Sequence, residues 1–180
     1  MNFSISALVE NCRSARTHPS ATEIIAGLLR AAIAQPDAIA EAVAGRQRHQ
    51  ASPQYVEVFV SDEDLTIYHV AYPPNILGVP HDHAGWGVIG VYAGSEAFNV
   101  YEEVDGALRT IGRRVLTAPA VEILAPDLIH NIENPGSQTS GSIHVYGNRH
   151  FDLPSRRIWR NEHAGPEPFT LKNPMHTAPR

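Results

Sequence analysis

The stretch VPHDHAGWG places His81 and His83 one residue apart. Residues i and i+2 on a strand point to the same face, so the two imidazoles are expected to converge there while Asp82 points away. Two imidazoles on one face suit a first-row metal ion. A second alternation lies in Ser142-Ile143-His144-Val145-Tyr146. On a strand, Ser142, His144 and Tyr146 share one face and Ile143 and Val145 the other, so hydroxyl, imidazole and phenol can form a hydrogen-bonded relay. A phenol held in this way can donate to a ligand on a metal.

The whole chain bounds what this chemistry can serve. Its 180 residues suffice for one domain with a core. A net charge of -5 and a pI near 6.0 argue against nucleic acid as a partner, because phosphate binding leaves a basic footprint. Small molecules or protein are the expected partners. The basic residues are Arg throughout, apart from Lys172. The start, MNFSISALVENCRSAR, has no basic segment ahead of an apolar core, and no apolar run approaches the roughly 20 residues needed to span a bilayer. The chain is therefore expected in the cytoplasm, without a membrane partner. Cys12 stands alone, forms no internal disulfide, and is expected to be buried on a helix.

The elements that must position these residues change character along the chain. Ser20-Ala21-Thr22-Glu23 reads as a capping box opening a helix through Ile24, Ile25, Leu28 and Leu29. A further helix starts at Pro36 and Asp37 and stops at Gly45. Residues 1–50 thus form a helical segment packing on a strand-rich remainder, and the polar stretch GRQRHQASP marks the boundary. Strands are expected at Tyr55–Val60, Leu65–Tyr72, Trp86–Tyr92, Ala97–Glu102, Leu108–Leu116, Val121–Leu124 and Ser142–Tyr146. Many short strands at turn spacing make residues 51–150 a sandwich or barrel, a mainly β domain. Residues 151–180, rich in Pro, Arg and Asn, read as an extension wrapping that domain.

The segment from His81 to Gly94 resembles the first motif of the cupin family, with Gly87 where the motif carries Glu, and APDLIHNIEN resembles the second through His130 and Asn134. This resemblance implies a jelly-roll, the double-stranded β-helix, with a metal at its mouth on His81, His83 and His130. Together with Ser142-x-His144-x-Tyr146, the stretch from Val79 to Tyr146 is similar to the thiol dioxygenases, the family of cysteine dioxygenase and 3-mercaptopropionate dioxygenase. Members bind Fe(II) through three histidines without a carboxylate, which fits Gly87, and transfer both atoms of O2 to a thiol sulfur to give a sulfinic acid. The resemblance implies that Tyr146 positions substrate or passes a proton, with His144 orienting it and Ser142 as the outer member.

Substrate identity depends on where a cation lies. Between Arg48 and Arg109 there is no Lys or Arg, and YVEVFV offers Glu57 where cysteine-specific members place Arg. After the relay, GNRHFDLPSRRIWR supplies Arg149, Arg156, Arg157 and Arg160. Arg156 or Arg157 stands near the offset at which mercaptopropionate enzymes hold the carboxylate, so a simple mercapto acid is expected in preference to cysteine. Two other readings stay open: a cupin isomerase or carbon-directed dioxygenase on Mn, Ni or Zn, and a non-catalytic ligand-binding cupin. Trp86 and Tyr92 read as packing. His69, His150 and His163 default to structure or solvent.

Overall fold

The computed structural model describes residues 3–44, 55–170 and 176–177. Helices come first: α1 (Ile5–Ala15), α2 (Ala21–Ile33) and α3 (Pro36–Ala44). Leu8, Cys12 and Ala15 bury one face of α1, and Ile25, Ala26, Leu29, Ala32 and Ile33 that of α2. Burial pushes the Cys12 thiol up to about 12, which keeps it neutral and unreactive. α2 starts where expected, but not by a capping box. The Ser20 side chain makes no cap, its backbone N–H donates to His18 Nδ1 at 3.0 Å, and Glu23 accepts from Thr22 Oγ1 instead of reaching back. The expected stop at Gly45 and the boundary from Gly45 to Pro53 lie outside the described residues.

Strands follow: β1 (Tyr55–Ser61), β2 (Thr66–Tyr72), β3 (Leu77–Gly78), β4 (Gly87–Ala93), β5 (Ser95–Val104), β6 (Ala107–Thr117), β7 (Ala120–Leu124), β8 (Ile129–Glu133), β9 (Ser140–Tyr146), β10 (Arg157–Ile158), β11 (Glu167–Pro168) and β12 (His176–Thr177). One sheet runs β1-β2-β9-β4-β7 and a second β12-β3-β8-β5-β6, while β10 and β11 pair alone. All pairings are antiparallel. Tyr68, Val70, Ile89, Val91 and Tyr146 of the first sheet pack against Phe98 and Ile132 of the second, forming the barrel interior.

The first sheet is buried on both faces, so β9 is buried along its whole length. On its outer face Ile67, Val88, Ile143 and Val145 join one core with Ile25, Leu29 and Ile33 of α2. Each such side chain contributes about 1.5–3 kcal/mol through burial. Gly90 lets the helix approach: a Cβ there would lie 3.1 Å from Ile33 and 3.3 Å from Leu29.

All seven expected strands are present. β3, β8 and the short pairs of the C-terminal segment were not foreseen, because IHNIE and LG are too short and too polar to stand out by alternation. His81 and His83 occupy no regular strand. They follow β3 in an extended segment in which only His81 pairs, bridging to His130 and to Ile158. The segment after Phe151 folds back on that loop, through Trp159 N–H to Pro80 O at 2.9 Å and Asp82 N–H to Arg157 O at 3.1 Å. Among the described residues no helix is long and apolar enough to cross a membrane.

Candidate metal centre

His130 sits on β8, and its backbone exchanges two hydrogen bonds with His81, at 2.8 and 3.0 Å. This reciprocal clamp fixes one ligand against the other. His81 Nδ1 donates to Val79 O at 2.9 Å, which places that ring's proton on Nδ1 and makes Nε2 the ligand atom. His83 Nε2 and His130 Nε2 approach to 3.1 Å, and the ligand atoms of all three imidazoles lie within 4.8 Å of one another. His83 and His130 are fully buried, and burial, then neighbouring imidazoles, holds both well below the usual histidine range. Three neutral nitrogen donors converging in a buried recess fit a divalent first-row ion, with no carboxylate in the set. Asp82 points away, as expected: its carboxylate accepts the Arg157 backbone N–H at 2.7 Å and Nε at 2.8 Å.

Next to the triad runs the relay. Ser142 Oγ lies 2.9 Å from His144 Nε2, and His144 Nδ1 lies 3.1 Å from the Tyr146 hydroxyl. All three point into the barrel because β9 alternates, with His144 between Tyr68 of β2 and Ile89 of β4. The Tyr146 ring stands 5.2 Å from that of His83. Gly87 explains how it gets there. A Cβ at Gly87 would lie 2.6 Å from Tyr146 Cε1, so the phenol occupies the space that a side chain at this position would need. Burial raises the Tyr146 phenol well above its usual range and lowers His144 to about 3, so both are neutral near pH 7.

Three residues of this neighbourhood were not anticipated. His150, assigned by default to structure or solvent, is buried and stacks on Tyr146 with ring centroids 3.6 Å apart. It stands beyond the end of β9, where no periodicity announces its direction. Tyr68 brings its hydroxyl within 3.2 Å of His144 Nδ1. The alternation of TIYHVAY separates Tyr68 from His69, but its place beside His144 comes only from the β2–β9 register. Glu96, fully buried on β5, accepts from Ser140 Oγ at 3.4 Å, and Ser142, the next inward residue of β9, also faces its carboxylate. A lone Glu in a strand carries no such signal.

A cavity of about 60 Å³ lies beside His81 and Tyr146, lined also by Tyr68, His150 and Arg156. Arg156 is 1% exposed. Its Nε donates to Asp82 O at 3.2 Å, Nη1 donates to His150 O, and Nη2 is buried with no partner. Arg157 faces elsewhere, because its guanidinium is committed to Asp82 and Glu103, each at 2.8 Å. Of the two arginines considered, only Arg156 reaches the cavity. Arg149 pairs with Glu63 and Arg160 with Glu167 on the surface. Asn134 is structural, donating to Tyr72 O and Gln138 O. His69 bonds the Tyr92 hydroxyl at 2.8 Å, away from the triad. A larger groove of about 670 Å³, between Asn99, Tyr101, Asn131, Glu133 and Arg160, is lined by none of the three triad histidines.

No family model matches the chain. Among solved structures, an uncharacterized conserved protein with a double-stranded β-helix domain from Klebsiella pneumoniae superposes with a TM-score of 0.50 at 16% identity, over 67% of this chain and 88% of that one. The fold is the cupin-type double-stranded β-helix. Bacillus subtilis oxalate decarboxylase is also similar (TM-score 0.49, 14% identity, 61% of this chain and 30% of that one). So is an oxalate oxidase in complex with glycolate (0.44, 16%, 59% and 55%). The chain therefore spans less than two thirds of either enzyme's length. In this cupin barrel the triad sits where β8 meets the segment after β3, with the relay of β9 beside it.

Proposed function

We propose that the protein is an Fe(II)-dependent thiol dioxygenase that converts a small mercapto acid and O2 into the sulfinic acid, R–SH + O2 → R–SO2H. The carrying observation is the Ser142–His144–Tyr146 relay ending beside a triad of histidines, with Gly87 leaving the ring of Tyr146 its place. Fe(II) on His81, His83 and His130 would supply the redox chemistry with O2 and the charge that favours thiolate over thiol.

The chain's own residues do the rest. Arg156 Nη2, buried and unpartnered beside the cavity, would hold a substrate carboxylate by a charge-assisted hydrogen bond. Tyr146, kept protonated by burial, would orient the sulfur end, while His144 and Ser142 hold the phenol in place. Tyr68, His150 and Phe151 line the cavity and would exclude water around the bound substrate. Among the described residues no carboxylate lines the cavity, so the ammonium of cysteine would meet no anionic partner, whereas 3-mercaptopropionate has no ammonium to satisfy.

The test is O2 uptake by the Fe(II)-loaded protein with 3-mercaptopropionate, cysteine, mercaptosuccinate and cysteamine in turn, against a His130→Ala control. Uptake strongest with 3-mercaptopropionate and absent in the control is expected. Clear preference for cysteine would remove the assignment to a mercapto acid, and no uptake with any thiol in a metal-replete protein would remove the thiol dioxygenase reading.

A further inference from the structure

The relay does not end at Ser142. Along β9 the inward side chains run Ser140, Ser142, His144, Tyr146, and the first two meet Glu96, which enters from β5. Glu96 is 0% exposed, and its second oxygen, Oε2, is buried with no partner. The groups facing it are neutral: Ser140 and Ser142 of β9, the phenols of Tyr68 and Tyr72 on β2, and the phenol of Tyr92 on β4. An acid placed there without a cation is an unusual thing for a barrel core to keep.

We propose that Glu96 is the proton-accepting end of the Ser142–His144–Tyr146 relay, and that its ionisation sets which way the Tyr146 hydroxyl faces the metal centre. With Glu96 ionised, Ser142 O–H donates to the carboxylate, His144 Nε2–H donates to Ser142 Oγ, and the Tyr146 O–H turns inward to His144 Nδ1. The phenol oxygen then presents a lone pair to the cavity. A proton arriving from a thiol S–H displaces the chain by one step. Tyr146 takes it and passes its own proton to His144 Nδ1, His144 passes the Nε2 proton to Ser142, and Ser142 passes its hydroxyl proton to Glu96. The S–H bond is broken, one carboxyl O–H bond is formed, and every intermediate group ends neutral.

The chain is then reversed. Glu96 O–H donates to Ser142, Ser142 to His144 Nε2, and His144 Nδ1–H to Tyr146, whose O–H now points at the substrate. Tyr68, whose hydroxyl lies 3.2 Å from His144 Nδ1, competes with Tyr146 for that nitrogen. Burial pushes Glu96 up to about 7, so both states are reachable near neutrality, whereas an ordinary surface glutamate would stay ionised. The role in turnover rests on the thiol dioxygenase reading; the reversal itself does not.

The test is the 15N NMR signature of the His144 ring in the metal-free protein, followed from about pH 5 to pH 9. In the native chain His144 should exchange its Nε2–H tautomer for the Nδ1–H tautomer as pH falls, with a midpoint near neutrality. Glu96→Gln should abolish the change, and Ser142→Ala should uncouple His144 from it. A His144 locked in one tautomer throughout, or a switch that persists in Glu96→Gln, overturns the proposal. In the iron-loaded protein, kcat/KM for 3-mercaptopropionate should fall about tenfold per pH unit on the acid side in the native chain but not in Glu96→Gln. Absence of any turnover would count against the proposed function while the tautomer result still decides the part played by Glu96.

Discussion

Replacing Gly87 by Ala adds one methyl group at the most crowded point beside the metal centre. Its Cβ would fall 2.6 and 2.8 Å from two ring carbons of Tyr146 and 3.3 Å from Leu124, so the phenol must retreat by about 1 Å to regain ordinary contact. It has little room, because His150 stacks behind it at 3.6 Å. A shift of that size stretches the 3.1 Å contact between the Tyr146 hydroxyl and His144 beyond hydrogen-bond range. Overpacking costs about 1–3 kcal/mol, which in a chain of this size lowers Tm by roughly 2–12 °C. Misplacing the phenol should cost about 10²-fold in kcat. Metal content, thermal unfolding and thiol-dependent O2 uptake of Gly87→Ala check each part, with one metal per chain retained. An unchanged Tm and unchanged kcat would refute the packing of Tyr146 over Gly87.

The remaining predictions concern the anion site, the phenol and the pH dependence of stability. Arg156→Lys keeps the charge but loses the fork, and Arg156→Ala loses both; steady-state kinetics should show KM for 3-mercaptopropionate raised about 10–100-fold in the Ala variant, with cysteamine little affected. Tyr146→Phe should retain the metal and lower kcat by about 10²–10⁴-fold, measured at saturating thiol. Burial holds His69 at about 4 and His144 at about 3, below the usual 6.5, so the unfolded chain binds protons that the folded one refuses. Their stabilisation is present above about pH 6.5 and is lost as pH falls through 4 and 3, on the order of 3 kcal/mol for His69 and more for His144. Glu96 has the opposite sign: raised from 4.5 to about 7, it favours the folded state below pH 4.5 and loses that contribution, about 3 kcal/mol, as pH rises through 7. Urea unfolding of the metal-free native chain and Glu96→Gln at a series of pH values separates the two, since only the difference between the chains carries the Glu96 part.

How far the site was legible in the sequence depends on the range of the interactions that build it. Period-two alternation is local, so Ser142, His144 and Tyr146 were legible as one face, and the register of β9 between β2 and β4 places them there. The spacing of His81 and His83 was equally local, although the two stand in a loop anchored by His130 rather than on a regular strand. His150, Tyr68 and Glu96 reach the same interior from three separate segments, and only the pairing of sheets brings them together. Arg156 and Arg157 are neighbours in sequence and opposite in environment. The β10 segment turns one guanidinium under the loop of Asp82 and the other out toward Glu103.

The proposed reaction leaves both atoms of O2 on a thiol sulfur. Mass spectrometry of the product formed from 3-mercaptopropionate by the Fe(II)-loaded protein under 18O2 follows those atoms themselves. The expected product is a sulfinic acid carrying two heavy oxygen atoms, formed in step with O2 consumption and absent with His130→Ala. Unlabelled disulfide as the sole product, or unconsumed thiol beside a fully metal-loaded protein, would contradict the proposed reaction.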